Sequence, residues 1–265
     1  MLVIKSLSKY FSKNTPHEIL ALNDFNLRVK KGNFITIIGS NGAGKSTLLN
    51  LIAGTLQPDY GEIKLDGEVV TYQPEYKRAC WIGRVFQNPL LGTAPYMSIE
   101  ENLVLSLKRE KRGLRKGINK ERREYLRQRL SELGLGLERD LNKKVGLLSG
   151  GERQAMTMLM ATMFGPKVLL LDEHTAALDP ESSKKILKIT EELVEERKND
   201  LITLMVTHNM KLALEVGNRT IMMDRGQNIF DIQGEERKKI DVNFLLKQFS
   251  KLRNQEYIED RLVLD

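Results

Sequence analysis

A chain of 265 residues with 41% hydrophobic and 29% charged residues has the balance of a globular protein, enough for one large α/β domain or a core plus a subdomain. No apolar run approaches the ~18 residues that cross a bilayer, "MLVIKSLSKY" lacks the apolar stretch of a signal peptide, and the single Cys80 excludes an internal disulfide framework and fits a reducing cytoplasm. Net charge is +7, but Lys108 to Arg129 holds 11 Lys/Arg and 3 Asp/Glu, a surplus of 8 that leaves −1 for the rest, unlike a uniformly basic nucleic-acid binder.

Leu2 to Lys30 and Glu62 to Tyr72 read as an antiparallel β part, broken by the turns "QPDYGE" and "LDGE". Between them, Phe34 to Ile38 predicts a buried strand, and Leu48, Leu49 and Ile52 give Lys45 to Ala53 a helical spacing. The strand and helix are joined by "GSNGAGKS", Gly39, Ser40, Asn41, Gly42, Ala43, Gly44, Lys45 and Ser46, which has the form of a phosphate-binding P-loop. Glycines let backbone N–H groups close on phosphate, and the helix start adds partial positive charge. Lys45 reaches the β- and γ-phosphates, and Ser46 offers a hydroxyl to Mg²⁺. By chance alone the fixed positions would match in roughly one chain in a hundred of this length.

Further along, Ile82 to Phe86 predicts a short strand that ends at Gln87. "SIEE" predicts a helix starting near Ser98, capped with Glu101. The basic segment Lys108 to Arg129 reads either as a solvated helix face or as a surface for anionic headgroups or acidic loops. Nucleic acid is the poorer fit, because Tyr125 is its sole aromatic. Ser149 can cap a helix from Gly150, and Met156, Met158, Met160 and Met163 on that helix suit adaptable core packing. Val168 to Leu171 predicts a strand buried on both faces, with Asp172 and Glu173 at its end where a ligand can sit. Asp172 is placed to serve the metal of a P-loop nucleotide, and Glu173 to orient or deprotonate a water. Leu201 to Val206 predicts another strand, with His208 just beyond it, and "DVNFLLKQF" predicts a terminal amphipathic helix.

"LSGGERQ", Leu148 to Gln154, stands just upstream of "VLLLDE" and resembles the signature motif of ABC-type ATPases. Gln87 in "RVFQNP" resembles that family's Q-loop glutamine, "AALDP" (Ala176 to Pro180) its D-loop, and His208 in "LMVTHNM" its switch histidine. The resemblance covers about residues 1 to 232. It implies an α/β P-loop NTPase fold, with a mostly parallel sheet and helices, an antiparallel β part and a helical subdomain. The nucleotide-binding core would span about 1–87 and 166–235, the helical subdomain about 88–165, and a C-terminal helix and tail about 236–265.

The same resemblance implies a site for ATP and Mg²⁺. The P-loop from Gly39 to Ser46, with Thr47, would hold the phosphates, and Phe11 (or else Tyr10) would stack on adenine. Ser46, Asp172 and Gln87 would serve the metal. Glu173, His208 and Gln87 would serve hydrolysis. Ser149, Gly150, Gly151, Glu152 and Gln154 would meet the γ-phosphate held by a second protomer in a head-to-tail dimer, with Asp179 acting across the interface. The implied function is the energy-coupling subunit of a transporter, peripheral at the cytoplasmic face of the membrane. Its expected partners are separate permease subunits and an extracytoplasmic substrate-binding protein, with no nucleic acid. The alternative is a soluble ABC ATPase such as an iron–sulfur assembly factor. "EHTAALDP" resembles a subgroup of importers with a lipoprotein-type binding protein, some handling aromatic amino acids such as tryptophan. His174 departs from the Pro or Ala of many relatives and is expected only to decorate its loop.

Overall fold

In the computed structural model, which describes residues 1–107, 118–248 and 250, the chain opens with β1 (Leu2–Phe11) and β2 (Ile19–Val29). β3 (Phe34–Gly39) runs into α1 (Lys45–Ala53), and β4 (Tyr60–Leu65), β5 (Glu68–Val69), the short α2 (Glu75–Arg78) and β6 (Ile82–Val85) follow. The helices α3 (Ile99–Ser106), α4 (Lys120–Ser131) and α5 (Gly150–Met163) then intervene before β7 (Val168–Asp172). After α6 (Pro180–Glu195) come β8 (Ile202–Val206), α7 (Met210–Glu215), β9 (Arg219–Asp224), β10 (Gln227–Gln233) and α8 (Gly234–Lys238). Residues 242–248 form a further helix.

The strands make two sheets. β2-β1-β4-β5 is antiparallel, and β10-β9-β3-β8-β7-β6 is parallel except for the β10–β9 pair. The near-continuous apolar runs of β3, β7 and β8 are explained by cover on both faces. Ile35, Ile37, Leu170, Leu204 and Val206 pack toward α1 and the antiparallel sheet. Phe34, Leu169, Leu171 and Met205 join a second core with Leu103 of α3, Leu126 of α4, Met156 of α5 and Ile186 of α6. Period-two alternation thus divides each strand between two cores.

Local chemistry sets the helix starts. Ser98 accepts from Glu101 N while the Glu101 carboxylate accepts from Ser98 N, so α3 begins with a capping box, as its sequence predicts. Met156 and Met158 are fully buried, and Met160 and Met163 pack against the same core. "DVNFLLKQF" forms the expected helix over 242–248, and the short α8 precedes it. In the helix over 242–248, Leu245 is buried with Ile38, Ala213 and Met222 behind the end of β3. The basic segment's residues 108–117, and the tail from 251 onward, lie outside the described residues.

Arg78 is fully buried without an acidic partner. It donates to the carbonyls of Leu51, Ile52, Thr71 and Gln73, covering the end of α1. Its pKa is lowered by that burial. Nothing in the sequence marked this residue. Gly54 follows α1 at φ +88, and a Cβ there would lie 2.9 Å from Arg78 Nε, so a glycine is required beside the guanidinium.

Candidate active site

β3, β8, β7 and β6 lie side by side and parallel, so their carboxyl ends open on one edge of the sheet. Ligands of open α/β sheets sit at that edge. Each strand delivers one expected group there: the P-loop after β3, His208 after β8, Asp172 and Glu173 at the end of β7, and Gln87 after β6.

The P-loop packs tightly. Gly44 has φ +94, and a Cβ on it would lie 2.4 Å from the carbonyl oxygen of Ala21 in β2, so only glycine fits. Asn41, Gly42 and Ser46 are exposed, whereas Ala43, Gly44 and Lys45 are buried. Lys45 Nζ donates to the carbonyls of Gly39 and Ser40, each at 2.8 Å, which holds the ammonium inside the loop. Burial lowers its pKa, and the charges of Glu173 and Asp172 oppose that shift. Ser40 Oγ donates to Asp224 at 3.3 Å, tying the loop to β9.

Asp172 is largely buried. Burial pushes its carboxyl pKa up, and the Arg84 guanidinium, whose Nη2 stands 3.5 Å from Asp172 Oδ2, acts against that shift. Glu173 adopts the left-handed backbone region at φ +44, uncommon for a side chain of its size. Such strain costs on the order of 1–3 kcal/mol and clusters at functional sites. Its N–H still bonds Val206 O at 3.1 Å, extending the β7–β8 ladder by one rung. The Glu173 carboxylate then stands 3.4 Å from His208 Nδ1, and His208 is mostly exposed. A carboxylate and an imidazole in contact at a strand edge can together orient and deprotonate a water. Gln87 is exposed and lines, with Asn50, Arg84, Phe86 and Asp172, a hollow of about 480 Å³. A larger hollow of about 890 Å³, lined by Gly32, Phe34, Glu195 and Asn218 among others, opens where β3 begins, away from these groups.

Ser46, Asp172 and Gln87 carry hard oxygen donors of the kind Mg²⁺ prefers. Among the described residues there is no cluster of three or more His, Cys, Asp and Glu suited to a metal. That fits an ion that takes one or two carboxylates and completes its shell with phosphate and water.

At the periphery, Phe11 ends β1 and is 38% exposed, paired with Ile19 of the strand that packs on Gly44. Tyr10 is half-buried and turns its ring edge to Tyr60, with Lys13 Nζ over both rings at 5.3 and 5.0 Å. Phe11 has Lys9 Nζ 5.9 Å from its ring centroid and is the more exposed of the two aromatics. Asp179 caps α6, accepting from Glu181 N and Ser182 N, and the Ser182 hydroxyl together with these backbone bonds holds its pKa below the usual range.

The signature residues lie at the head of α5. Ser149 accepts from Glu152 N, and the Glu152 carboxylate accepts from Ser149 N, a second capping box. Ser149 and Gly150 are exposed. Gly151 also has a packing reason, since a Cβ on it would meet Ser182 Oγ of α6 at 3.0 Å.

Two expectations fail here. Gln154, expected to reach a nucleotide on another protomer, is fully buried and donates Nε2 to Phe86 O at 3.2 Å. It sits four residues past Gly150, about one helical turn inward, and so faces the core of its own chain. His174 does not decorate the loop. It is 2% exposed, its Nε2 lies 3.1 Å from Thr190 Oγ1, and burial lowers its pKa to about 4. Arg78 lies outside every motif, and the contacts of Gln154 with Phe86 and of Arg84 with Asp172 join separate motifs, so spacing did not reveal them.

An α/β fold with a P-loop after one parallel strand and an acid pair at the end of a neighbour defines the class of P-loop nucleotide hydrolases. The family model described as "ABC transporter" matches residues 22–176. The chain is 42% identical over 249 residues to a tyrosine transport ATP-binding protein of Clostridioides difficile (strain R20291), covering 94% of this chain and 98% of that one. It is 35% identical over 237 residues to a glutamate/aspartate import ATP-binding protein of Escherichia coli (strain K12), covering 87% and 90%. A dimeric ATP-binding cassette in a post-hydrolysis state, bound to ADP and Pi, superimposes with a TM-score of 0.74 at 32% identity, covering 88% of this chain and 98% of that chain. The chain belongs to the ABC transporter family, as an ATP-hydrolysing, nucleotide-binding subunit.

Proposed function

We propose that this chain powers an importer for aromatic amino acids, tyrosine foremost, through a separate membrane permease. The observation that carries the mechanism is the convergence of the P-loop, Asp172, Glu173, Gln87 and His208 on adjacent strand ends. The substrate class is supported by the tyrosine transport relative, aligned over nearly the full length of both chains. "EHTAALDP" points the same way through its resemblance to importers of that kind. The transport names of the relatives favour this reading over a soluble iron–sulfur assembly ATPase.

In this reading, Gly39 to Thr47 hold the phosphates of ATP, and Phe11 stacks on adenine. Ser46, Asp172 and Gln87 hold Mg²⁺, which neutralises charge on the phosphates. Lys45 leaves the Gly39 and Ser40 carbonyls to meet a phosphate oxygen. Glu173, braced by His208, takes a proton from the attacking water. Ser149, Gly150, Gly151 and Glu152 complete the site from a second copy, and Asp179 lies at that interface. The dimeric cassette with ADP and Pi supports the pairing. Residues 88–165 act as a subdomain that meets the permease at the cytoplasmic face of the membrane. No helix among the described residues is long and apolar enough to cross a membrane, so the pore is another polypeptide. An extracytoplasmic binding protein delivers the substrate.

The test is uptake of labelled tyrosine by cells lacking this gene and complemented with wild type, Lys45→Ala or Glu173→Gln. Wild type should restore uptake and both variants should not, with tryptophan tested as a competitor. Tyrosine uptake indifferent to the gene would reject the substrate. ATP turnover by Glu173→Gln at the wild-type rate would reject its role.

A further inference from the structure

Arg84 opens the stretch "RVFQNP" but has been given no role so far, and among the described residues it is the cation in ion-pair contact with Asp172. On neighbouring parallel strands, Arg84 pairs in register with Leu170, two residues before Asp172, so the guanidinium lies along the same face toward the carboxylate. Nη2 stands 3.5 Å from Asp172 Oδ2, and both side chains are mostly buried. The guanidinium also lies 4.5 Å above the ring of Phe86, the residue before Gln87. Its Nε is buried with no hydrogen-bond partner. The group is thus held by charge and ring contact and only loosely by directional bonds, and it borders the hollow that Gln87 and Asp172 line. A pair of this kind has a clear use. A buried carboxylate without a counter-charge is costly, and removing one partner of a buried pair exposes that cost. Before nucleotide arrives, Asp172 has Glu173 beside it and Lys45 bonded to Gly39 and Ser40. Lys45 acts on Asp172 through its charge, and Arg84 is the positive group in ion-pair contact with it.

We propose that Arg84 is a place-holding cation: it occupies the carboxylate of Asp172 until a divalent metal arrives with the nucleotide, and thereby sets the apparent metal affinity of the site. Arg84 is a positioning residue here, since it acts through Asp172. The inference rests on the reading of Asp172 as a metal ligand. A competing charge at this distance, partly screened, should change metal affinity several-fold.

The test uses the full chain, ATP, and Mn²⁺ as a spectroscopic probe, with free Mn²⁺ measured by electron paramagnetic resonance. Arg84→Gln, and Arg84→Met to keep the apolar stem over Phe86, should bind Mn²⁺ about threefold or more tightly than wild type. Arg84→Lys, which keeps the charge, should stay near wild type. Damage to the fold would weaken binding, so tightening separates the proposal from a merely structural role. Unchanged or weaker Mn²⁺ binding in both neutral variants, with their circular dichroism intact, would overturn it. Asp172→Asn is the control on the underlying reading. If that variant binds Mn²⁺ as wild type does, Asp172 is no ligand and the place-holding role falls with it. If it loses Mn²⁺ while the neutral Arg84 variants do not tighten, only the place-holding role falls.

Discussion

Gln154 Nε2 donates to the carbonyl of Phe86 at 3.2 Å, so the helix that begins at the signature serine holds the residue just before Gln87. A second contact runs parallel to it, because a Cβ on Gly92 would lie 3.3 Å from Thr157 of the same helix. From the other side, the Arg84 guanidinium covers the Phe86 ring. Phe86 is therefore fixed by α5 and by the neighbour of Asp172 together. Gln87 leaves this fixed point toward solvent. A displacement of Gln87 is therefore expected to reach α5 through the hydrogen bond from Gln154 to Phe86.

Gln154→Met tests that link. Methionine fills the volume but donates nothing, leaving the Phe86 carbonyl without this partner. A stability loss of about 1–2 kcal/mol is expected in urea unfolding. ATP affinity should stay near wild type while maximal turnover falls severalfold. If affinity and turnover fall in proportion, Gln154 supports the fold generally and does not aim Gln87.

Arg78→Met should be more damaging to stability than to chemistry. It removes donors from four carbonyls, two of them at the end of the P-loop helix. Relief of the guanidinium's own burial offsets part of the loss, leaving about 2–4 kcal/mol. Thermal unfolding would show it, and Arg78→Lys should recover only part, since an ammonium cannot span the same fork. A variant as stable as wild type would remove Arg78 from the role of helix support.

The contrast between these residues and the strand ends shows what the sequence made legible. The β3–α1 join, the Ser98 capping box, the Ser149 N-cap and the acid pair after β7 rest on neighbours within a few positions, so spacing revealed them. Gln154 and Phe86 are separated by 68 positions, and Arg78 and Leu51 by 27. No local pattern records such pairs. Gln154 also departs from expectation because it closes a motif whose Ser149 and Gly150 are exposed. One helical turn was enough to carry it inward. His174 was misread for the same reason, sitting next to two functional acids but facing the core.

His174 gives a pH prediction. Thr190 Oγ1 donates to Ile186 O, so it accepts from His174, which makes Nε2 the protonated nitrogen of a neutral ring. Burial lowers the pKa from the ordinary 6.5 to about 4. Below 6.5 the unfolded chain takes up a proton that the folded chain refuses. The contribution is therefore fully present above that pH and declines as pH falls toward 4. Between about pH 7.5 and about pH 5.5, wild type should lose about 1 kcal/mol more than His174→Gln in urea unfolding. Parallel pH profiles for the two proteins would show that the ring accepts a proton in the fold.

The shared site gives the last prediction. Lys45 lies inside the P-loop, whereas Ser149 is exposed at the head of α5, its hydroxyl accepting from Glu152 N of its own capping box. If the two embrace one ATP, they must come from different copies. Lys45→Ala and Ser149→Arg should each be inactive as homodimers. In a mixed dimer one site receives both lesions and the other receives none. Random mixing makes half the dimers mixed, so about a quarter of all sites would be intact under two-fold symmetry with independent sites. The assay belongs in the assembled transporter, with subunit exchange confirmed by differently tagged copies. Recovery of ATP hydrolysis toward a quarter of wild type would place Ser149 opposite Lys45. Activity that stays at the homodimer level despite proven exchange would leave two arrangements, a site closed within one chain or two sites that fire only together. ATP retention by the mixed species separates these, because an obligatorily coupled pair still contains one site with both Lys45 and Ser149 intact, whereas every site closed within one chain carries a lesion.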